Sequence, residues 1–438
     1  MTAPRGNLGL WPASALVVGH TIAVGIFLTP AEVVGALASP GLVITLWIVF
    51  GLLILFGAFS FGELASRLPQ AGGPYVFLRE AWGPRVAFLY GWQCLLVMDP
   101  GVTAALATGL AEYLPVVWPE TAPNARWWAI AVIWLLAVVN VGGISVSARV
   151  MTAMTALKLA ALAGITVLAF ASGSGSETHF HPFWPRRPGA QPIGEALALA
   201  SVAAFFSFGG FWEASRVAGE VRDPQRTLPR ALALGVGVVA VAYLTITLAF
   251  IYLVRPEQAT SAAAFAASAG GALFGSTGAR ILAAIVVLSI LASMMALLLM
   301  APRVYYAMSQ DGLFPRAIAR LHPRRGVPDR ATLLLAALAT GFTLVGTFQQ
   351  IVSFFICTAI AFIALAVSGL FVMRRRDPRY AGFRAPGYPI TPTLFIALVA
   401  AVVALVLLAR PLQAIAGILV VLCGLPAYRI NRAAAPVA

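Results

Sequence analysis

The sequence predicts an all-α polytopic membrane protein with about twelve transmembrane helices. Of the 438 residues, 61% are hydrophobic and only 10% are charged, whereas about a quarter of the residues in an average soluble domain are charged. Apolar runs of about 20 residues, the length that crosses a bilayer, recur from one end of the chain to the other. We therefore interpret residues 1–438 as a single integral membrane domain, with the bilayer as its main surrounding.

The predicted spans follow the apolar runs in chain order. They are 10–30, 41–65, 84–113, 127–141, 150–171, 195–215, 230–254, 281–306, 331–346, 350–372, 390–409 and 412–428. With the N- and C-termini in the cytoplasm, most arginines fall in inner loops, as the positive-inside rule predicts for a multi-pass protein of the cell (inner) membrane. Topology thus explains the net charge of +14, and we expect no nucleic-acid partner.

Two of these spans are interrupted at their centres. The first contains the stretch 19–27, with two glycines, a histidine and a threonine, and the sixth contains a glycine pair and polar residues within 206–213. Lipid cannot satisfy freed backbone groups, so such a break needs protein, water or a ligand beside it. Several solute carriers bind their substrate at breaks of this kind. Close helix packing through glycine is the alternative explanation.

The two breaks lie five spans apart, in helices that run in opposite directions. This placement is typical of an inverted-topology repeat, because chance glycines need not fall at equivalent positions. We predict a first five-helix repeat over 10–171, an inverted second five-helix repeat over 195–372, and two appended helices over 390–428.

Lys158 is the only lysine in a chain with 28 arginines, and it lies within the fifth predicted span. About eight residues separate it from the start of that span, which places it roughly 12 Å deep. At this depth a long side chain does not reach the headgroups easily. A buried charge in the membrane usually marks a pathway or an ion pair, so we favour a functional role for Lys158 over snorkelling.

Three further ionisable side chains lie near mid-membrane, and each has two interpretations. His20 could relay protons, having an ordinary pKa near 6.5, or could fill the helix break as a neutral, hydrogen-bonded group. Asp99 could take part in proton transfer or in specificity, or, because it precedes a proline, could satisfy backbone groups freed by a kink. Glu213 could influence a substrate amine or could pair with Arg216, three residues further on.

The sequence contains no constellation typical of an enzyme. A glycine-rich phosphate loop, a zinc motif and a nucleophile elbow are all missing. We therefore predict no catalytic residues, no metal site and no cofactor, and a membrane-embedded receptor or enzyme remains a distant alternative. Cys94, Cys357 and Cys423 lie within predicted helices, so no disulfide framework is expected.

Motifs along nearly the whole chain resemble the amino acid–polyamine–organocation superfamily, specifically its L-type amino-acid transporter branch. The matching segments are Gly19-x-x-Ile22-x-x-Gly25-Ile26-Phe27, Gly72-Gly73-Pro74-Tyr75, Glu80-Ala81-Trp82-Gly83, Phe206 to Phe211, Glu220, Asp223 to Pro229, Ala301 to Met308, Asp311 to Pro315 and Arg384-x-Pro386-Gly387-Tyr388-Pro389. The resemblance implies a LeuT-type fold and a sodium-independent amino-acid transporter that exchanges neutral L-amino acids by alternating access. A proton-coupled symporter or exporter of amino acids or amines is the alternative.

The resemblance also implies which residues bind substrate. The substrate carboxylate would meet backbone N–H groups near Ala23, Val24 and Gly25, and Lys158 would take the place of sodium and bridge the two broken helices. The substrate amine would meet nearby carbonyls, with Phe206 as an aromatic gate. The implied substrate-binding set is Thr21, Ile22, Ala23, Val24, Gly25, Phe206, Ser207 and Gly209.

The chain departs from the branch pattern at several of these places. Ala23 and Val24 replace a glycine and a serine, which makes the expected carboxylate pocket tighter and less polar. Trp212 replaces a small polar residue, and Asp99 stands where relatives often have arginine. Animal members pair with a glycoprotein through a cysteine in the loop after the third span. Residues 114–126 contain no cysteine, so we expect no disulfide-linked heavy subunit.

Overall fold

The computed structural model describes residues 8–22, 25–70, 72–142, 148–258, 262–322 and 327–434. These residues are almost entirely helical, and the β contact found among them is an isolated bridge between Leu8 and Val221. The predicted all-α fold class is confirmed. Apolar residues at this density leave the helix as the simplest structure that satisfies its own backbone within a bilayer.

The described residues form eighteen α-helices, numbered here in chain order. They are α1 Leu10–Thr21, α2 Gly25–Leu37, α3 Pro40–Arg67, α4 Pro74–Trp82, α5 Pro84–Gln93, α6 Asp99–Val117, α7 Ala125–Val141, α8 Ala148–Ala171, α9 Ile193–Phe208, α10 Pro224–Leu253, α11 Ala262–Met300, α12 Pro302–Gln310, α13 Arg316–Ala319, α14 Asp329–Val345, α15 Phe348–Arg376, α16 Ile390–Ala409, α17 Pro411–Leu422 and α18 Gly424–Ala434. A π-helical turn, Cys94–Met98, joins α5 to α6, and 3₁₀ turns lie at Pro119–Asn124, Glu177–Phe180, Phe211–Glu220 and Pro256–Gln258.

Nine helical spans in the described chain are long and apolar enough to cross a membrane, and α1 with α2 makes a tenth, broken span. This establishes a multi-pass membrane protein. The predicted fifth and ninth spans correspond to α8, whose apolar part Thr155–Ala171 is short, and to α14, which has 17 residues. Helix α14 is shorter than the usual 20 or so residues, whereas α8 has 24 residues in all, and the total of twelve stays a prediction.

The first predicted break is present in the structure. Helix α1 ends at Thr21, α2 begins at Gly25, and the two are bent by 46° relative to each other. Gly25 lies so close to α9 and α10 that a Cβ atom there would be 3.0 Å from Ser207 Cα of α9 and 2.8 Å from the Tyr243 hydroxyl of α10. A side chain at this position would push α2 away from these two helices. Ala23 and Val24 lie outside the described residues.

The second predicted break is also present. Helix α9 ends at Phe208, Gly209 is extended, and Gly210 has φ 100°, a left-handed conformation that favours glycine. The chain then continues as the 3₁₀ helix Phe211–Glu220. The halves of the two broken spans pair crosswise: α2 packs against α9, and α1 packs against the 3₁₀ helix.

Burial separates a central group of spans from a peripheral one. Within the most apolar windows, 78% of the residues are buried in Pro84–Val117 and 72% in α15, but only 28% in α16 and 22% in Pro411–Arg429. The central spans surround the two breaks, whereas the peripheral ones face outward. Exposed tryptophans at 118, 127 and 128 flank the turn between α6 and α7, a placement typical of membrane–water interfaces.

Candidate functional site

A cavity of about 80 Å³ lies between the two helix breaks. One water molecule needs only about 10–15 Å³ of such space, so the cavity is large enough for more than one water. Its walls come from α1, α2, the π-turn region, α6, the sixth span, α11 and α15. The lining residues are His20, Thr21, Gly25, Met98, Asp99, Val102, Leu106, Phe206, Gly209, Gly210, Trp212, Glu213, Ser293, Leu297, Phe355, Ile356 and Ala359.

Most of the residues predicted as a site line this one cavity, although they come from distant parts of the sequence. Ile22 and Ser207 lie behind its wall: Ile22 is 1% exposed, and Ser207 is fully buried. The Thr21 hydroxyl donates to the Val17 carbonyl of its own helix at 2.8 Å. Phe206 and Gly209 face the cavity from the second break.

Neutral hydrogen bonds join the two broken spans beside the cavity. The hydroxyls of Thr29 and Ser207 are 2.6 Å apart, so one donates to the other. The hydroxyl that accepts this bond donates its own proton to a carbonyl of its own helix, Gly25 for Thr29 or Ala203 for Ser207. The Tyr243 hydroxyl donates to the Ser207 carbonyl at 3.1 Å. Every polar atom in this contact therefore has a partner, which holds α2 against α9 in a defined register.

Lys158 lies behind the first break and is only 7% exposed. Its ammonium donates to the Ile22 carbonyl at 3.4 Å and to the Ser293 hydroxyl of α11 at 3.1 Å. The last carbonyls of a helix carry partial negative charge, so the ammonium complements the end of α1. The hydrogen bonds of Lys158 in the described chain reach the end of α1 and α11; that its charge bridges the two broken helices stays a prediction.

Asp99 and Glu213 belong to a buried cluster around Arg216. The Tyr305 hydroxyl donates to Asp99 Oδ2 at 2.5 Å, and Asp99 Oδ1 is 4.0 Å from Arg216 Nη2. Asp99 therefore binds a side chain of α12 and lies near a charged side chain of the sixth span; that it satisfies backbone groups freed by the kink stays a prediction. Arg216 Nη1 is 2.8 Å from Glu213 Oε2, at an angle that makes the contact an ion pair without a hydrogen bond.

His20 and Phe206 close two other sides of the cavity. His20 Nε2 is 2.7 Å from the Met300 sulfur, and the His20 carbonyl lies against Gly210. Phe206 packs edge-to-face on Phe348, with ring centroids 5.2 Å apart, and tilts against Phe355. Phe348 begins α15 at the end of the bundle away from Leu8, so this aromatic group covers the cavity on that side.

Several residues at the site were not singled out by the sequence. Ser293 and Ser289, one helical turn apart in apolar α11, are a weak signal that could have drawn attention, since they give the helix a polar stripe. Met300 and Tyr305 carry no local signal at all. Arg216 was considered only as a partner for Glu213, yet it also reaches Asp99 and the Tyr90 hydroxyl.

The arrangement suits noncovalent binding of a small zwitterion. Helix α2 begins at the cavity, and the first N–H groups of a helix attract an anion. Carbonyls at the ends of α1 and α9 and the two carboxylates offer acceptors for a cation. Among the described residues, no group of His, Cys, Asp and Glu side chains is arranged to hold a metal ion.

A bundle of membrane spans that encloses a cavity between two broken helices has the architecture of a secondary transporter. The chain belongs to the amino acid permease family, because the model of that family matches residues 8–421 of its 438. The predicted resemblance and the prediction that the protein is not an enzyme are confirmed by this membership.

Curated transporters match nearly the whole chain. The cystine/glutamate transporter of Homo sapiens is 28% identical over 419 residues, which cover 94% of this chain and 83% of that protein. The b(0,+)-type amino acid transporter 1 of Mus musculus is 26% identical with the same coverage. The serine/threonine exchanger SteT of Bacillus subtilis (strain 168) is 26% identical over 428 residues, 97% of this chain and 96% of SteT.

Proposed function

We propose that the protein is a sodium-independent amino-acid transporter that exchanges neutral L-amino acids by alternating access. The similar proteins named above are amino-acid transporters, and one of them is an exchanger. We further propose that it works in the cell membrane with both termini in the cytoplasm, since its arginine-rich loops then lie inside. We also propose that residues 10–171 and 195–372 form two five-helix repeats of inverted topology.

The observation that carries the proposal is the hydrogen bond from Lys158 to the Ile22 carbonyl. A helix that ends inside a membrane needs a cation or a donor near its last carbonyls. In this chain a covalently attached ammonium supplies that charge. Because the Lys158 ammonium is part of the protein, no sodium ion has to bind and cross with each substrate, so transport should proceed without sodium.

The proposed substrate orientation follows from the cavity walls. The carboxylate of the amino acid meets the backbone N–H group of Gly25 and, as the sequence motif predicts, those of Ala23 and Val24. The amine meets carbonyls of Thr21 and Phe206; the latter already accepts the Gly209 N–H at 3.1 Å and keeps a second lone pair. The two carboxylates of the cavity already face Arg216 and Tyr305, which favours a substrate with a neutral side chain.

Counterflow in proteoliposomes tests this function. Vesicles preloaded with unlabelled neutral amino acids should take up the labelled form at equal rates in sodium and in choline buffer, and empty vesicles should take up little. A screen of all amino acids and common amines identifies the substrate. Uptake of none of these compounds would contradict the proposal, and a requirement for sodium would contradict the role of Lys158.

Lys158→Ala should reduce exchange by about 100-fold or more, because the end of α1 loses its buried charge. The protein should remain folded, since no carboxylate in the described chain pairs with Lys158 and none is left unpaired. Ser293→Ala is the matched variant: it removes one of the two hydrogen bonds that the ammonium makes with described residues, and it should slow exchange by about tenfold. If Lys158→Ala had the elution profile of the wild type and also transported at the normal rate, the proposed role of Lys158 would be wrong.

A second candidate function is a proton-coupled symporter or exporter of amino acids or amines. It is favoured by one observation, that His20, Asp99 and Glu213 all line the cavity. Uptake into empty vesicles, driven by an imposed pH gradient, would support it. Exchange that is insensitive to the gradient would exclude it.

We also expect no disulfide-linked heavy subunit. Cys94 and Cys357 are buried, and the exposed Cys423 lies in the last helical region, far along the chain from the loop after the third span. Activity of the chain purified alone would support this expectation. A strict requirement for a co-expressed glycoprotein would contradict it.

A further inference from the structure

A second cavity, of about 900 Å³, opens on the outside of the bundle. It is a groove whose walls come from α1, α3, α8 and α10, and nearly all of its lining is aliphatic or aromatic. The lining residues are Leu10, Leu55, Phe59, Leu159, Leu162, Ala163, Thr166, Val167, Arg230, Ala233, Leu234, Gly237, Val238, Val241, Ala242 and Thr245. None of them lines the substrate cavity.

One charged residue, Arg230, lies in this groove. It is near the start of α10, at the end of the bundle that also carries Leu8, because the backbone N–H of Arg222 bonds the Leu8 carbonyl at 2.9 Å. Its side chain is exposed, and no described residue forms a hydrogen bond or an ion pair with it. An arginine that faces an apolar groove without a partner is suited to a phosphate or other anion from the membrane surface.

The length of the groove fits an acyl chain. Residues 230, 234, 238, 241 and 245 lie on one face of α10, and fifteen residues of helix extend about 22 Å. Half of the hydrocarbon core of a bilayer is about 15 Å thick. The groove is therefore longer than one leaflet of the core is thick, so a lipid with its headgroup at Arg230 has room to lay a whole tail in it. Leu10 of α1 lines the same space, which places that tail against the first half of the broken span.

We propose that this groove is a binding site for an anionic phospholipid of the surrounding bilayer. Arg230 binds the headgroup phosphate, and α3, α8 and α10 enclose one acyl chain. Because the bound lipid contacts Leu10, it stabilises the arrangement of α1 seen here, in the way that any ligand stabilises the state it binds.

Gly237→Leu tests the proposal by filling the groove. A Cβ atom on Gly237 would meet nothing within 4 Å, so the leucine fits without a clash and improves helix propensity. In detergent, phosphatidylglycerol should raise the unfolding temperature of the wild type by about 3 °C or more, and phosphatidylcholine should do much less. The variant should lose this difference. Gly341→Leu is the control: its Cβ position in α14 is equally open, it lies outside the groove, and it should respond like the wild type.

Arg230→Gln tests the charge. It should lose most of the phosphatidylglycerol that co-purifies with the wild type, as counted by native mass spectrometry. Arg226→Gln is its matched control, since Arg226 lies one turn earlier on the same helix, is 79% exposed and does not line the groove. Equal retention of phosphatidylglycerol by wild type, Arg230→Gln and Gly237→Leu would overturn the proposal, as would equal stabilisation by the two lipids. Neither readout depends on transport.

Discussion

In the described part of the chain, two buried charge clusters differ in how completely their carboxylates are paired. Each also holds a guanidinium nitrogen that makes an ion pair without a hydrogen bond, Arg67 Nη2 in one and Arg216 Nη1 in the other. The inner cluster surrounds Glu63, which is fully buried. Its carboxylate accepts hydrogen bonds from Arg67 at 3.0 Å, from Arg374 at 2.5 Å and from the Ala385 backbone N–H at 2.7 Å. Both of its oxygens are engaged, so Glu63 fastens α3 to the end of α15 and to the segment that follows.

The central cluster, beside the cavity, is paired less completely. Arg216 is 2% exposed, yet its Nε and Nη1 atoms have no hydrogen-bond acceptor among the described residues. Asp99 lies at 4.0 Å from it, and Glu213 makes an ion pair without a hydrogen bond. A buried group with unmet hydrogen-bonding capacity is costly, and such groups cluster at functional sites.

The contrast teaches how the same residue types serve two purposes. Arginine and carboxylate with every oxygen engaged make a rigid joint between helices. Beside the cavity, where the carboxylates of Asp99 and Glu213 line the wall and Arg216 behind them keeps unused donors, the groups can rearrange when a polar ligand enters. Aromatic rings strengthen the contrast, because Tyr380 and Tyr388 cover the inner guanidiniums at 4.2 and 3.9 Å from their ring centroids and shield them from water.

The largest expected effect is on the inner cluster. Glu63→Gln keeps the shape of the side chain but leaves Arg67 and Arg374 buried without their counter-charge. Removing one partner from a buried ion pair costs about 3–5 kcal/mol of folding free energy. We expect a strongly lowered unfolding midpoint in detergent, measured by tryptophan fluorescence, and little folded protein after extraction.

Asp377→Asn is the control for this prediction. Asp377 also approaches Arg67, at 3.8 Å, but its side chain is 58% exposed. Exposed ion pairs contribute about 0–1 kcal/mol, so its unfolding midpoint should stay close to that of the wild type. If Glu63→Gln were as stable as Asp377→Asn, the inner cluster would not be the rigid joint described here.

In the central cluster, by contrast, we expect a substitution to slow transport while lowering stability only a little. Asp99→Asn keeps an acceptor for the Tyr305 hydroxyl and removes a charge near Arg216, which retains Glu213. The stability cost should be below about 1.5 kcal/mol, the size of one typical net hydrogen bond. Counterflow should slow by about tenfold, because the electrostatics of the cavity wall change. A large loss of stability with normal specific activity would assign this cluster a structural role instead.

The architecture was predictable because its signals are local. A span is visible as an apolar run, and both breaks were visible as glycines inside such runs, so α1–α2 and the sixth span were located before any packing was known. The number of spans does not follow from such local signals alone: α14 has only 17 residues. Whether the chain crosses there depends on neighbouring helices, which sequence periodicity does not describe.

The site was predictable only where the breaks themselves form it. Four of the predicted site residues lie at or next to the breaks, and the structure brings them to one cavity: Thr21, Gly25, Phe206 and Gly209. Tyr305 reaches the cluster from over 200 residues away along the chain. Such a contact is set by how whole helices pack, and a tyrosine near the end of a helix has no sequence feature that indicates its partner.

The smallest expected effect concerns the neutral contact between the two broken spans. Thr29→Val removes the hydroxyl that lies 2.6 Å from the Ser207 hydroxyl. Ser207 keeps its bond to the Ala203 carbonyl, so no buried donor is orphaned and the cost should be about 1 kcal/mol. Thr343→Val is matched, because Thr343 is equally buried and bonds only within its own helix, to the Ala339 carbonyl. It should lower the unfolding midpoint less than Thr29→Val does. Equal midpoints for the two variants would mean that this hydroxyl pair does not hold the broken spans in register.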